Sequence, residues 1–289
     1  MKTHKALPLK TLRPHLIHHL DLGTRLRREL EVSRRVVHPG ILRFLGDGTL
    51  EDGSPYLVAP LVRGVSLGRL LLRFGELPAP VVLLLASRLA SVLHSAHMAG
   101  YVHRDVKPEH VLLSETDRRE LRVHLLDFGV CWSATAEAEE RRREAGRVFG
   151  TPSYVSPEQA AGETQIDGRA DLFGLGVVMF EALTGCVPFC APTVTKLLLR
   201  IIRDDAPPLG ELVDVDARVD ALVGQLLARD PAQRMPSARA LSRALLPFAA
   251  ARVAAERQLL TLMRDTYGAD TSSETLERSA PTAQRARVA

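Results

Sequence analysis

"YVHRDVKPEHVLL", residues 101–113, sets an acid, Asp105, and a base, Lys107, two positions apart, directly after a helix-like apolar run. Five residues past Asp105 stands His110. Taken alone, Asp105 and Lys107 are no more than an exposed ion pair, which contributes little to any fold. What decides their meaning is the pattern on either side.

Upstream, residues 79–99 read as a long apolar helix ending at Gly100. Before it, "RGVSLGRLLLRFG" reads as a loop and a short helix, and "ILRFLGDGTLEDGSPYLVAPLV" as two strands turned by Asp and Gly. From Leu20 to Val37 apolar residues recur at helical spacing among Arg and Glu, and "HPG" (38–40) stops that helix. Residues 5–12, "KALPLKTL", read as a short strand. Downstream, "HVLL" and "LRVHLLDF" are strand-like. Residues 129–168 have no period and several Gly, Pro and Ser, a long loop of the kind that carries function. A buried helix is expected at 169–184, then helices near 193–203, 216–228, 236–248 and 251–267. The last twenty or so residues, rich in Ser, Thr, Glu, Arg and Ala, read as disordered. Strands first and helices afterwards imply an α+β chain of two unequal lobes with a cleft between them. The expected division is 1–62 for a partial N-terminal lobe, 63–249 for a helical C-terminal lobe, and 250–289 for a last helix and tail.

Composition narrows the classes. With 46% hydrophobic residues the chain can build a real core, and with only 4% aromatics Leu, Val and Ala must fill it. The formal charge of +4 comes without a long Lys/Arg block, which argues against a nucleic-acid partner. The Arg clusters at 25–28, 34–35 and 141–143 read as solvated faces. Cys131, Cys186 and Cys190 form no metal-ligand spacing, and an odd count suits a reducing compartment. No apolar N-terminal stretch has signal-peptide length, and the run 81–93 is too short to cross a bilayer. A cytoplasmic protein without a membrane partner is the expectation.

"HRDVKPEH" and "LLDFGV" lie about twenty residues apart, followed by "GTPSYVSPEQ" (150–159), "DLFGLGVVMFEALTG" (171–185) and "RDPAQRMPSA" (229–238). In that order the set resembles the eukaryotic-type serine/threonine protein kinases, particularly the bacterial branch, over residues 6–248 or so. The resemblance implies a two-lobe protein-kinase-like fold, ATP with Mg²⁺ as cofactors, and a protein substrate or regulatory partner. It implies that Asp105 orients the acceptor hydroxyl, that Lys107 reaches the transferring phosphate and that Thr151 packs beside both. Asp127 would hold the magnesium, Phe128 would pack beneath the regulatory helix, and Gly129 would permit a backbone flip. Lys10, in "LPLKTLRPHL", would contact the ATP phosphates and pair with Glu29 of "RLRRELEVSRRVVHPGIL", nineteen residues on. In "YLVAPLVRG" (56–64), Ala59 would be a small gatekeeper, with backbone groups of Pro60 and Val62 facing adenine. Asp171 would anchor the catalytic loop, and Glu158 with Arg234 would form a buried structural pair.

Two departures stand out. His110 occupies the position where the family has Asn, whose amide oxygen binds a second magnesium; imidazole suits softer metals. Three readings stay open: one metal on Asp127 supporting slow transfer, acceptance of Mn²⁺, or a site without chemistry in which His110 packs or bonds to Asp127. Second, no glycine-rich GxGxxG precedes Lys10, since "MKTHKALPL" has no glycine. The N-lobe sheet is therefore expected to be incomplete, leaving the Lys10 strand as a bare edge. A start upstream of Met1, a covering partner or segment, or a degenerate kinase would each account for it. Arg104, before Asp105, usually answers to a loop phosphate in this family. "RRREAGRVF" has no Ser or Thr, Ser133 and Thr135 lie further back, and Glu144 is a candidate fixed charge, with a solvated helical turn as the alternative. Two functions remain: an ATP-dependent serine/threonine kinase, and a pseudokinase acting as a scaffold or binding module.

Overall fold

The computed structural model describes residues 8–11, 20–133 and 149–269. Expectations placed on Arg141–Arg143, Thr135, Glu144 and the tail lie outside the described residues.

The N-terminal part is a three-stranded antiparallel sheet in the order β1-β3-β2, with β1 Leu9–Thr11, β2 Gly46–Thr49 and β3 Pro55–Val58. Lys10 pairs with Leu57, so β1 forms an edge of the sheet among the described residues. Helix α1, Leu20–Arg35, packs against this sheet. Leu26, Glu29, Ser33 and Val36 fall three or four apart and are all buried, which makes one inward stripe. The helix ends at the "HPG" turn, where His38 accepts from the Gly40 N–H at 2.9 Å and meets Ser91 Oγ at 3.1 Å. Gly40 must be glycine: a Cβ there would lie 2.5 Å from Val92 and 2.7 Å from the Val123 carbonyl.

The C-terminal part is built on α3, Ala79–Met98. The apolar run 81–93 is shorter than a bilayer, but the helix carrying it has 20 residues and is long and apolar enough, by length and composition, to cross one. It serves instead as the buried centre of the helical lobe: Val81, Leu85, Leu89, Val92 and Ala96 are all but inaccessible, and the Leu, Val and Ala core expected from composition lies around it. Helix α2, Leu67–Phe74, precedes it, capped by Ser66, whose side chain accepts from the Arg69 N–H. Two short sheets flank the segments that carry Asp105 and Asp127: β4-β6-β7 (Gly64–Ser66, Val111–Glu115, Leu121–Leu125) and β5-β8 (Tyr101–Val102, Trp132–Ser133). Strand β4 stands where a loop was expected, and β5 and β8 are too short to leave an alternating pattern in the sequence.

The expected long loop is broken by a 3₁₀ turn at Pro152–Tyr154 and by helix α4, Pro157–Ala160, whose Ser156 and Gln159 form a reciprocal capping box. Helix α5, Arg169–Thr184, is buried almost throughout, as its uncharged apolar run 172–180 predicts. Helices α6 (Val194–Arg203), α7 (Ala217–Leu226) and α8 (Ala238–Ala244) follow. The last helix, α9, Arg252–Ala269, does not project: it lies along α3 and α2, burying Ala255, Leu259, Leu260 and Met263. Glu256 accepts from the Leu121 N–H, and Arg264 pairs with Glu115 at 2.7 Å.

Candidate active site

The catalytic-loop candidate is held by one buried carboxylate. Asp171, in the first turn of α5, accepts from the His103 N–H at 2.8 Å and the Arg104 N–H at 2.7 Å, and its Oδ2 lies 2.7 Å from His97 Nε2. Burial pushes its pKa up, but His97 and the backbone donors outweigh it and the net shift is downward. Those bonds hold Arg104 at φ 66, a left-handed conformation that a non-glycine residue adopts only under constraint. The Arg104 guanidinium donates to the Val130 carbonyl at 2.7 Å and lies 4.7 Å from the Phe149 ring centroid.

That backbone turn aims Asp105 and Lys107 together. Asp105 Oδ1 accepts from the Thr151 N–H at 2.8 Å, and Oδ2 lies 3.1 Å from Lys107 Nζ. Lys107 also donates to Thr151 Oγ1 at 2.5 Å. All three residues are thus in mutual contact, across a separation of 46 positions between Asp105 and Thr151. Burial raises the Asp105 pKa, while His110, Lys107 and His103 bring the net shift below the usual carboxylate range.

Asp127 comes from the other side. It sits at φ 63, capping the 3₁₀ turn Phe128–Val130 with Oδ1 accepting from the Gly129 N–H at 3.3 Å. Phe128 is buried, packing edge-on to His103 at 4.5 Å, and its turn lies against α1. Lys10 Nζ reaches Glu29 Oε2 at 2.6 Å and Asp127 Oδ1 at 3.4 Å. Burial disfavours the Lys10 charge, yet the two carboxylates outweigh it and its pKa is raised. The Asp127 pKa, pushed up by burial, is brought down to about 2 by Lys10 and His110.

His110 lies between the two aspartates. Its Nδ1 is 2.9 Å from the Asp105 carbonyl oxygen and its Nε2 is 3.6 Å from Asp127 Oδ2. Burial lowers its pKa to about 4. Asp127 offers a hard oxygen that fits a divalent cation, whereas the imidazole departs from the ligand type magnesium takes. No group of three or more His, Cys, Asp or Glu among the described residues forms a metal cluster, so any cation here takes further ligands from elsewhere.

Lys10, Glu29, Asp127, His110, Asp105, Lys107 and Thr151 therefore form one continuous contact chain. Ala59, Pro60 and Val62 follow β3 and are half-buried; the Ala59 N–H donates to the Pro8 carbonyl at 3.0 Å, which extends the β1–β3 pairing. Glu158 and Arg234 form a fully buried bidentate pair at 2.7 and 2.8 Å, away from this chain of contacts. Sequence reasoning did not find His97, which the pattern leaves as one polar residue of an apolar helix. Nor did it find the Tyr101–Glu31 bond, 2.9 Å long between residues seventy positions apart.

Residues 1–246 match the protein kinase domain family. The chain belongs to that family. It is 34% identical over 242 residues to serine/threonine-protein kinase pkn3 of Myxococcus xanthus, covering 82% of this chain and 44% of that protein. It is 31% identical over 242 residues to serine/threonine-protein kinase PknB of Mycolicibacterium smegmatis, covering 82% and 38%, and 29% identical over 265 residues to serine/threonine-protein kinase PknD of Mycobacterium tuberculosis, covering 91% and 38%. The chain spans less than half the length of these relatives. Protein kinases of this family use ATP and a divalent metal, and the two-lobe α+β fold is theirs.

Proposed function

We propose that the chain is an ATP-dependent serine/threonine protein kinase. The observation that carries this reading is the closed Lys10–Glu29 pair at 2.6 Å, with Asp127 at 3.4 Å from the same ammonium. Phosphoryl transfer is mostly positioning and charge neutralisation, and it needs that pair formed and the metal-binding carboxylate in place together. When bound, ATP with its divalent cation supplies the phosphoryl group and neutralises charge on the phosphates. Lys10 would orient the phosphates and Asp127 would hold the cation. Asp105, kept ionised by its neighbours, would accept the hydrogen bond of an acceptor hydroxyl and then its proton. Lys107, fixed by Thr151, would offset negative charge passing towards the acceptor. Ala59, Pro60 and Val62 would line the adenine site. A strand from a partner or from another segment would complete the sheet beyond β1.

One observation favours the second reading, a pseudokinase that acts as a scaffold or regulatory module: beside Asp127 stands an imidazole, a ligand type that magnesium does not take. Transfer of labelled γ-phosphate to the chain itself or to a basic model protein tests the choice. Transfer that disappears in Asp105→Asn supports the kinase. Absence of transfer with both Mg²⁺ and Mn²⁺ leaves the scaffold.

A further inference from the structure

His110 is in a defined tautomer. Its Nδ1 lies 2.9 Å from the Asp105 carbonyl oxygen, which only accepts, so Nδ1 carries a proton. The other ring nitrogen, Nε2, lies 3.6 Å from Asp127 Oδ2, too long for a hydrogen bond. Asp127 Oδ1 is already engaged by Lys10 and by the Gly129 N–H, which leaves Oδ2 as the oxygen turned towards His110. Two atoms of metal-ligand type thus stand across one gap, where a cation between them would be held by both.

The spacing suits such an ion. Bonds of about 2.1 Å put two ligands about 3.0 Å apart in an octahedron and about 3.4 Å apart in a tetrahedron. The observed 3.6 Å needs a closure of about 0.6 Å for the octahedron and about 0.2 Å for the tetrahedron. The backbone of His110 is fixed on both sides: its N–H donates to the Lys107 carbonyl at 3.0 Å and its carbonyl accepts from the Leu126 N–H at 2.8 Å. The Nδ1–H bond to a backbone carbonyl is also the kind of outer contact that orients metal-binding histidines.

We propose that His110 Nε2 and Asp127 Oδ2 form a two-donor seat for a first-row transition dication, and that His110 makes this site prefer such an ion to Mg²⁺. One nitrogen and one carboxylate oxygen are a mixed set that transition ions accept readily, whereas Mg²⁺ takes oxygen. The inference rests on the kinase reading only in taking nucleotide phosphates as the source of the remaining ligands.

The probe is Mn²⁺ bound to the full chain, alone and with ADP, read by pulsed electron paramagnetic resonance. Mn²⁺ is the least nitrogen-seeking ion of its row, so it sets a strict test. Bound Mn²⁺ is expected to show coupling to a nitrogen nucleus that changes when histidine alone is labelled with nitrogen-15, which separates it from adenine. The coupling is expected to vanish in His110→Asn, and the Mg²⁺ needed to displace Mn²⁺ is expected to fall about tenfold in that variant. His110→Gln serves if the Asn variant is unstable. Bound Mn²⁺ without histidine coupling, equal displacement by Mg²⁺ in wild type and variant, or no Mn²⁺ binding with or without ADP would each overturn the proposal. Histidine coupling in a protein that transfers no phosphate would sink the kinase reading and leave the metal seat standing.

Discussion

The Tyr101 hydroxyl donates to Glu31 Oε1 at 2.9 Å, so the fully buried residue that opens the segment carrying Asp105 holds the helix that carries Glu29. Arg35 steadies the same carboxylate from one turn further along, at 3.1 Å. The bond crosses from the helical lobe to α1 and thereby bears on whether Lys10 and Glu29 stay closed. Removing the hydroxyl in Tyr101→Phe should destabilise by about 1 kcal/mol and leave the ring packing intact. Hydrogen exchange within residues 20–35 should accelerate more than in α5. Uniform exchange across both helices would show that the bond does not restrain α1.

Glu158 and Arg234 should behave as structure, not chemistry. Their side chains are almost completely buried, and the guanidinium also stacks 5.0 Å from the centroid of Phe173. Glu158→Ala should lower stability by about 3–5 kcal/mol in urea denaturation, because it strands a buried charge. The double variant Glu158→Leu/Arg234→Met should lose less than either single one. A larger loss in the double variant would contradict this account.

Acid should weaken the fold through His124. This residue is buried on β7, bonded through Nε2 to Ser114 Oγ at 2.9 Å, with no partner for Nδ1 among the described residues. Burial, helped by Arg122, lowers its pKa to about 4. Above pH 6.5 both folded and unfolded forms are neutral there and the group contributes nothing. Below that value the unfolded chain takes up a proton that the folded chain refuses, so stability falls with pH until about 4. Between pH 7 and 5 the loss from this one residue is about 2 kcal/mol. The urea midpoint of Ser114→Ala/His124→Leu should depend less on pH than that of wild type; parallel curves would exclude His124 as the source.

Leu259 tests whether α9 belongs to the fold. It is fully buried although it lies beyond residue 246, where the family match ends. Leu259→Ala should cost about 2–5 kcal/mol and lower the melting temperature. An unchanged melting temperature would mean that the helix docks too weakly to matter.

Much of the candidate site was legible because Lys10, Glu29, Asp105, Lys107, Asp127 and Thr151 each lie in a short run whose order along the chain is informative. The helices were legible for a different reason: α3 and α5 are long enough for an apolar pattern to declare itself. Strand β4, at Gly64–Ser66, has three residues and shows no alternation, so it reads as loop. The departure at His110 was visible as a residue type. Its tautomer was not, since that is set by a backbone carbonyl whose direction depends on the left-handed turn at Arg104. Long-range side-chain bonds such as His97 to Asp171 leave no local trace, because neither partner's neighbours announce the other.

Helix α9 runs back over the lobe to end beside α2 and β4, with Tyr267 close to Arg63 and Arg69. Among the described residues the chain thus closes beside Gly64–Ser66, the segment that follows the expected adenine-facing residues and leads into the helical lobe. Whatever loosens α9 therefore acts directly on the short strand that ties α2 to the segment carrying His110.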